Sequence, residues 1–195
     1  TLQKFDSVYR HSRLTGIIDG VDNSILSNIT TVKIRKSFTP LIGSSAKYNI
    51  YFRNALFNPH TGHNAMAGGS LSSTGFKFEG NDNEMFLDDD GAGNVRRYFL
   101  QSGIRTYIDS TQGTVDYTSG AITINSLNIA SISNIRGASS TIIEVTITPL
   151  SNDVVPVRDQ ILNIDTANSS ITVESDTFVG GSADAGVGYT TSSSY

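Results

Sequence analysis

The sequence contains no cysteine and no tryptophan, and only 4 of its 195 residues are proline. The absence of cysteine excludes disulfides, thiolate nucleophiles and thiolate metal ligands. Charged residues make up 16% of the chain, well below the roughly 25% that is typical of soluble domains. The 14 basic and 18 acidic residues leave a formal net charge of -4. Because there is no basic excess to attract a phosphate backbone, we expect no nucleic-acid partner.

Long apolar runs are also missing. No apolar stretch approaches the ~20 residues that a membrane-spanning helix requires, and we expect no membrane partner. Ser, Thr, Asn and Gly stand where charged residues are more usual, a composition typical of turn-rich all-β structural proteins. The first residue is Thr1 rather than Met, and we expect the chain to be a portion of a longer protein.

The spacing of apolar residues predicts one helix near the N-terminus, with Ser12 as its N-cap. The apolar stripe that predicts this helix consists of Leu14, Ile17, Ile18, Val21, Ile25 and Ile29. Val32 and Ile34 alternate with basic residues and predict a strand, and Pro40 then marks a boundary. Residues 1–40 are therefore predicted to form a helix–strand unit that belongs to a domain beginning upstream.

Beyond Pro40 the pattern predicts a mainly β (α+β) fold, with an antiparallel β-rich body of hairpins over residues 41–178. A three-residue hairpin loop is predicted to end at Gly120 in the left-handed conformation. The predicted strands are 48–52, 76–79, 84–87, 95–100, 104–108, 115–117, 121–124, 142–147, 161–164 and 171–173, with a long loop at 58–74. Residues 179–195 are low-complexity, and we expect this tail to gain order only against another protein surface.

The acidic run Asp88, Asp89 and Asp90 ahead of Gly91 is one candidate ion site. A calcium loop takes ligands from alternate residues and closes with a bidentate Glu about six residues past the Gly. Position 97 is instead Arg97, a cation. We therefore interpret residues 88–90 as the solvated tip of a hairpin, with a metal site as the alternative.

A second candidate is the pair His60 and His63, which lie three residues apart in a polar loop. No carboxylate or third His lies nearby in the sequence to complete a metal site. We expect these side chains to hydrogen-bond to the backbone, with metal binding as the alternative.

The chain has no Gly-x-Ser-x-Gly elbow and no Gly-rich loop with the lysine and helix that cradle a phosphate. We assign no catalytic, cofactor-binding or metal residue, and expect no enzyme activity, cofactor or small-molecule substrate. A hydrolase stays open as an alternative that a pocket with two carboxylates would support.

Five tracts of the sequence carry a resemblance to a known family. They are YNIYFRNAL at 48–56, SSTGF at 72–76, DDDGAGN at 88–94, GTVDYTSG at 113–120 and VVPVRDQIL at 154–162. In this order and spacing they resemble the C-terminal part of the large baseplate wedge protein of T4-like phages, the product of gene six. The region 13–36 is also similar to the wider baseplate J-like group.

The resemblance implies a structural role in a contractile phage tail. In that family the protein dimerises and links neighbouring wedges into the inner ring of the baseplate. The implied partners are copies of the chain itself, as a homodimer or ring, and other baseplate wedge subunits. The implied location is the virion, with assembly in the host cytoplasm. The resemblance assigns no individual interface residue.

The composition is compatible with self-assembly, because a polar surface with few charges can mate without desolvating many ions. The alternative is a receptor- or glycan-binding β module of a phage tail fibre, which the polar loop at 58–64 favours. The absence of tryptophan weakens that alternative, since aromatic rings often stack on sugars.

Overall fold

The computed structural model describes residues 4–63, 69–156 and 160–174. The chain divides into two compact units, the first ending at Leu162 and the second beginning at Asn163. The described part of the second unit contains a turn of 3-10 helix at Thr166–Asn168. The strands predicted at 161–164 and 171–173 are wrong, because no strand pairs with these segments in the described part of the chain. The predicted tail at 179–195 lies outside the described residues.

The described part of the first unit contains one helix and ten strands. The helix is α1 (His11–Asp19). The strands are β1 (Ile34–Phe38), β2 (Ala46–Tyr51), β3 (Leu71–Ser73), β4 (Phe76–Phe78), β5 (Glu84–Asp89), β6 (Asn94–Gln101), β7 (Ile104–Asp116), β8 (Ala121–Leu127), β9 (Ile129–Ile132) and β10 (Ile143–Ile147).

These strands form one antiparallel sheet that nearly closes into a barrel, with the order β1-β10-β3-β5-β6-β7-β8-β2. Strand β4 lies off this path and pairs with β5 and β9. The predicted mainly β fold with an N-terminal helix is thereby confirmed. The predicted hairpin between β7 and β8 is also present, and Gly120 in its turn adopts a φ of 69°. Strand β1, which precedes Pro40, pairs with β10, which follows it. The predicted domain boundary near Pro40 stays a prediction.

The apolar core consists of the inward-facing side chains of this sheet. In β8, Ile122 and Ile124 are buried on one face, and Thr123 between them points to the other, as the two-residue period of a strand requires. The other large, fully buried side chains are Phe52, Leu56, Phe76, Met85, Leu87, Leu127, Ile129, Ile143 and Ile147. The sequence pattern missed β9, and it placed β3 inside the loop predicted at 58–74. Both strands are too short to show a period and are formed through pairing with distant strands.

The N-terminal helix is shorter than its apolar stripe predicts. It ends at Asp19, so Val21, Ile25 and Ile29 lie beyond it, and none of its own residues is buried. The predicted cap at Ser12 is wrong, since Ser12 lies inside the helix. The carboxylate of Asp153 acts as the cap, because its Oδ1 accepts a hydrogen bond from the His11 N–H at 2.8 Å. No helix in the described ranges is long and apolar enough to cross a membrane.

Acid is expected to release the start of α1 from Asp153. Hydrogen bonds from Arg10 and from the His11 N–H hold the pKa of Asp153 below its ordinary value of 3.8. Because the pKa is lower in the folded protein than in the unfolded chain, the interaction stabilises the fold at pH values above the unfolded-state pKa. This stabilisation is lost as the pH falls through the folded-state pKa. The amide resonance of His11 should therefore shift with a midpoint below pH 3.8. Asp153→Asn should abolish that titration; its persistence in the variant would contradict the cap.

Candidate functional site

The acidic run ends strand β5 instead of forming a solvated tip. Asp88 and Asp89 are 1% and 0% exposed, so the predicted solvated position is wrong for both. Asp90 alone lies in the turn, where its Oδ1 accepts hydrogen bonds from the N–H groups of Ala92 and Asn94. Because successive strand residues point to opposite faces, Asp88 and Asp89 enter two different environments.

On the outer face of the sheet, Asp88 is the centre of a buried ion cluster. Its carboxylate accepts hydrogen bonds from Arg96 Nε at 2.9 Å, Arg105 Nη1 at 2.8 Å and the Tyr107 hydroxyl at 2.8 Å. The guanidinium of Arg96 also stacks 4.2 Å from the centre of the Tyr107 ring. Burial raises the pKa of Asp88, although the hydrogen bonds from Tyr107 and Arg96 act in the opposite direction. The cluster thus engages both carboxylate oxygens within the protein itself.

On the inner face, Asp89 connects three parts of the chain. Its carboxylate accepts a hydrogen bond from the Tyr117 hydroxyl at 2.6 Å and another from the Leu71 N–H at 2.8 Å. Burial and the neighbouring Asp89 raise the pKa of Tyr117, so the phenol keeps its proton and remains a donor. A Cβ at Gly69 would lie 1.6 Å from Asp89 Oδ1, and the carboxylate therefore occupies the space that a side chain would need. These contacts indicate a structural role for Asp89.

Arg97, which stands where a calcium loop has its closing Glu, is a buried cation. Its side chain belongs to the core face of β6, and its guanidinium lies 3.6 Å from the centre of the Phe78 ring. Its Nε and Nη1 atoms have no hydrogen-bond partner. Burial lowers the pKa of Arg97, an effect that the charge of Asp109 offsets in part. The ring stacking indicates that Arg97 belongs to the core.

The two loop histidines lie together. His63 Nδ1 is 3.1 Å from His60 Nε2, so one of these nitrogens donates to the other, and His60 Nδ1 is 3.3 Å from the Thr61 carbonyl oxygen. The predicted backbone contact is confirmed for His60, and the contact between the two rings was not predicted. Among the described residues, no group of three His, Cys, Asp or Glu side chains is arranged to hold a metal ion.

A groove that the sequence did not reveal lies between β1 and β2, the two strands at the ends of the sheet order. We call it the seam groove. Its volume is about 300 Å³. It is lined by Lys36, Ser37, Phe38, Asn49, Ile50, Tyr51, Arg53 and Gln160. The two end strands approach each other because the sheet nearly closes into a barrel. The sequence did not predict this groove, because strand order depends on long-range pairing.

Lys36 spans the seam groove. Its Nζ donates a hydrogen bond to the carbonyl oxygen of Tyr51 on the facing strand at 2.7 Å. Burial lowers the pKa of Lys36, and the positive charge of Arg53 lowers it further. The backbone of Arg53 has a φ of 55°, a left-handed conformation that is uncommon for a residue other than glycine. The groove is therefore a place where two cations lie close together.

A second surface feature is the apolar segment at residues 17–29, which comprises the end of α1 and the chain that follows it. Ile17, Val21, Leu26 and Ile29 are 58%, 73%, 75% and 98% exposed. Single exposed apolar side chains are common on protein surfaces, and these four lie near one another in the sequence.

Comparison of the chain with models of known protein families and with curated proteins finds no match. The baseplate resemblance therefore depends on the sequence tracts alone.

Proposed function

We propose that this chain is a structural assembly module of a contractile-tail phage baseplate. In this proposal it is the C-terminal portion of a wedge protein that joins copies of itself and other wedge subunits into the inner ring of the virion baseplate. The observation that carries the assembly role is the exposure of the apolar segment at 17–29. The five tracts that resemble the wedge family support the placement in a baseplate.

The size of the apolar segment matches a reversible interface. Burying one aliphatic side chain of this size contributes roughly 1.5–3 kcal/mol, so four contribute on the order of 6–12 kcal/mol. Association itself costs about 4–15 kcal/mol in lost translational and rotational freedom. At the favourable ends of both ranges, about 12 and about 4 kcal/mol, the surplus of about 8 kcal/mol corresponds to a dissociation constant of about 1 μM, and further contacts would be needed for a tighter complex.

The contacts of the acidic residues support a structural role over a hydrolase. A glycosidase needs two carboxylates that face one substrate. Asp88 and Asp89 instead lie on opposite faces of the sheet, and each accepts hydrogen bonds from side chains of β7 or of the turn that follows it. In our proposal these carboxylates fix the sheet that presents the apolar segment, and the chain has no catalytic role.

The double variant Leu26→Ser/Ile29→Ser is expected to weaken self-association about 100-fold. Each substitution removes about 1.5 kcal/mol of apolar burial at the interface, and 1.4 kcal/mol corresponds to tenfold in affinity. Both residues are exposed and lie outside helices and strands, so the fold should persist. Sedimentation velocity over a range of concentrations measures the dissociation constant of the full chain and of the variant.

Ile104→Ser is the matched control for that experiment. Ile104 is 72% exposed at the start of β7, away in sequence from the apolar segment, and its replacement should leave the dissociation constant unchanged. A wild-type chain that stays monomeric at micromolar concentration, or an equal effect of Ile104→Ser, would contradict the assembly role.

An antibody against the chain should label the baseplate end of isolated tails. Labelling of a tail fibre would support the glycan-binding alternative, which stays a prediction.

A further inference from the structure

We propose that the seam groove binds an extended acidic peptide segment of a partner protein, which enters as an additional strand between β1 and β2. This proposal concerns a different surface from the apolar segment and does not depend on the proposed baseplate function.

The two edges that form the groove have no described strand paired with them. In the described sheet β1 pairs with β10 alone, and β2 pairs with β8 alone. Each strand therefore has a second edge that no described strand occupies. Free edges of this kind recruit an extended peptide, in which main-chain hydrogen bonds give affinity and side-chain contacts give specificity.

A single inserted strand requires a defined separation of β1 and β2. Neighbouring strands lie about 4.7–4.9 Å apart, so a strand inserted between two others needs roughly 9–10 Å. The gap is crossed by the Lys36 side chain, whose Nζ donates to the Tyr51 carbonyl oxygen at 2.7 Å, and by the rings of Phe38 and Tyr48, whose centroids lie 4.8 Å apart. An inserted strand would therefore replace these contacts and widen the gap. The Tyr51 carbonyl that Lys36 now contacts is one of the acceptors that an inserted strand would use.

The charge of the groove favours a carboxylate-bearing occupant. Its lining contains two cations, Lys36 and Arg53, and no acidic residue. A peptide carboxylate would give Lys36 a charge-assisted partner when its contact with Tyr51 is replaced. The chain as a whole is acidic, with a net charge of -4, which disfavours a long polyanion such as nucleic acid. A short acidic strand places its charge at the groove alone.

Fluorescence anisotropy measures binding of a labelled peptide to the full chain. In this peptide every second residue is valine, and the residues between the valines are glutamate or threonine. The acidic peptide should bind saturably, and a matched peptide with lysine in place of glutamate should bind at least tenfold more weakly. Lys36→Gln/Arg53→Gln should weaken the acidic peptide at least tenfold. Lys77→Gln is the control, because Lys77 is an exposed lysine on β4, and it should leave binding unchanged.

Hydrogen exchange separates strand addition from simple charge attraction. On addition of the peptide, backbone amides of β1 and β2 should gain protection, and those of the β5–β6 hairpin should not change. Binding without that protection would overturn the proposal, as would equal binding of the lysine peptide or no saturable binding at millimolar peptide. Tighter binding of a single-stranded oligonucleotide at the same groove would also overturn it. None of these results depends on the oligomeric state, so they are distinct from failure of the proposed function.

Discussion

Replacement of Asp88 by alanine is expected to lower the free energy of unfolding by about 3–5 kcal/mol, the usual effect of breaking a buried ion pair from one side. The effect arises chiefly from the partner that remains. The side chain of Arg96 is 9% exposed, and its Nε and Nη2 both donate to Asp88. Without the carboxylate, a buried guanidinium loses its counter-ion, and the Tyr107 hydroxyl loses its acceptor. Chemical denaturation of both proteins measures the difference.

Asp90→Ala is the matched control, because it removes a neighbouring carboxylate from the same acidic run. Asp90 accepts hydrogen bonds from backbone N–H groups of the turn, and its loss should lower the free energy of unfolding by about 1 kcal/mol. If residues 88–90 acted as one solvated tip, the two substitutions would have similar and small effects. Equal effects would therefore contradict the buried cluster.

The comparison of Asp88 with Asp90 shows why the sequence misplaced the acidic run. A run of three aspartates before a glycine is locally a turn signal, and at Asp90 that signal is correct. Three of the groups that hydrogen-bond to Asp88 and Asp89 lie far along the chain, on β7 or in the turn that follows it: Arg105, Tyr107 and Tyr117. Only the pairing of β7 with β6 brings Arg105 and Tyr107 to Asp88, and no local pattern encodes that register.

Local patterns were sufficient where the structure itself is local. The hairpin of β7 and β8 is predictable because Gly120 and the alternation at Ile122 and Ile124 all lie within a few residues of the turn. Residues 171–173 show the opposite case. They also consist of strand-forming residues, but no described strand pairs with them, and Ile171 and Val173 are 91% and 90% exposed. Strand propensity alone therefore does not make a strand, because the pairing partner supplies most of the stability.

The seam groove could not be predicted for a related reason. Lys36 and Tyr51 lie in segments that the sequence places near or within strands, but their contact requires that the first two strands take opposite ends of the sheet order. Strand order is fixed by the pairing of β1 with β10 and of β2 with β8, both far away in the sequence. The sequence shows that Lys36 and Arg53 are cations, but it does not show that they lie close together in the fold.

Gly113→Ala is expected to lower the free energy of unfolding by roughly 3 kcal/mol or more, at the upper end of the range for overpacked sites. Gly113 lies in β7 between two partner strands, opposite Val95 of β6 and Ile124 of β8. A Cβ at this position would lie 2.0 Å from the Thr123 carbonyl oxygen, which belongs to the backbone of β8 and has no rotamer that relieves the contact. Because β7 is paired on both sides, it cannot move away without weakening one ladder.

Gly16→Ala is the matched control, because the same substitution is expected to change the free energy of unfolding in the opposite direction. Gly16 lies within α1, and a Cβ there would meet nothing within 4 Å. Alanine should stabilise this helix by up to ~1 kcal/mol through its higher helix propensity. The same chemical change is thus expected to stabilise at one position and to destabilise at the other, and thermal denaturation of the two variants measures both. Alanine normally stabilises a strand relative to glycine, because it lowers the entropy of the unfolded chain, and only close backbone packing opposes that gain here. A Gly113→Ala protein as stable as the wild type would therefore mean that β7 and β8 do not approach each other as described.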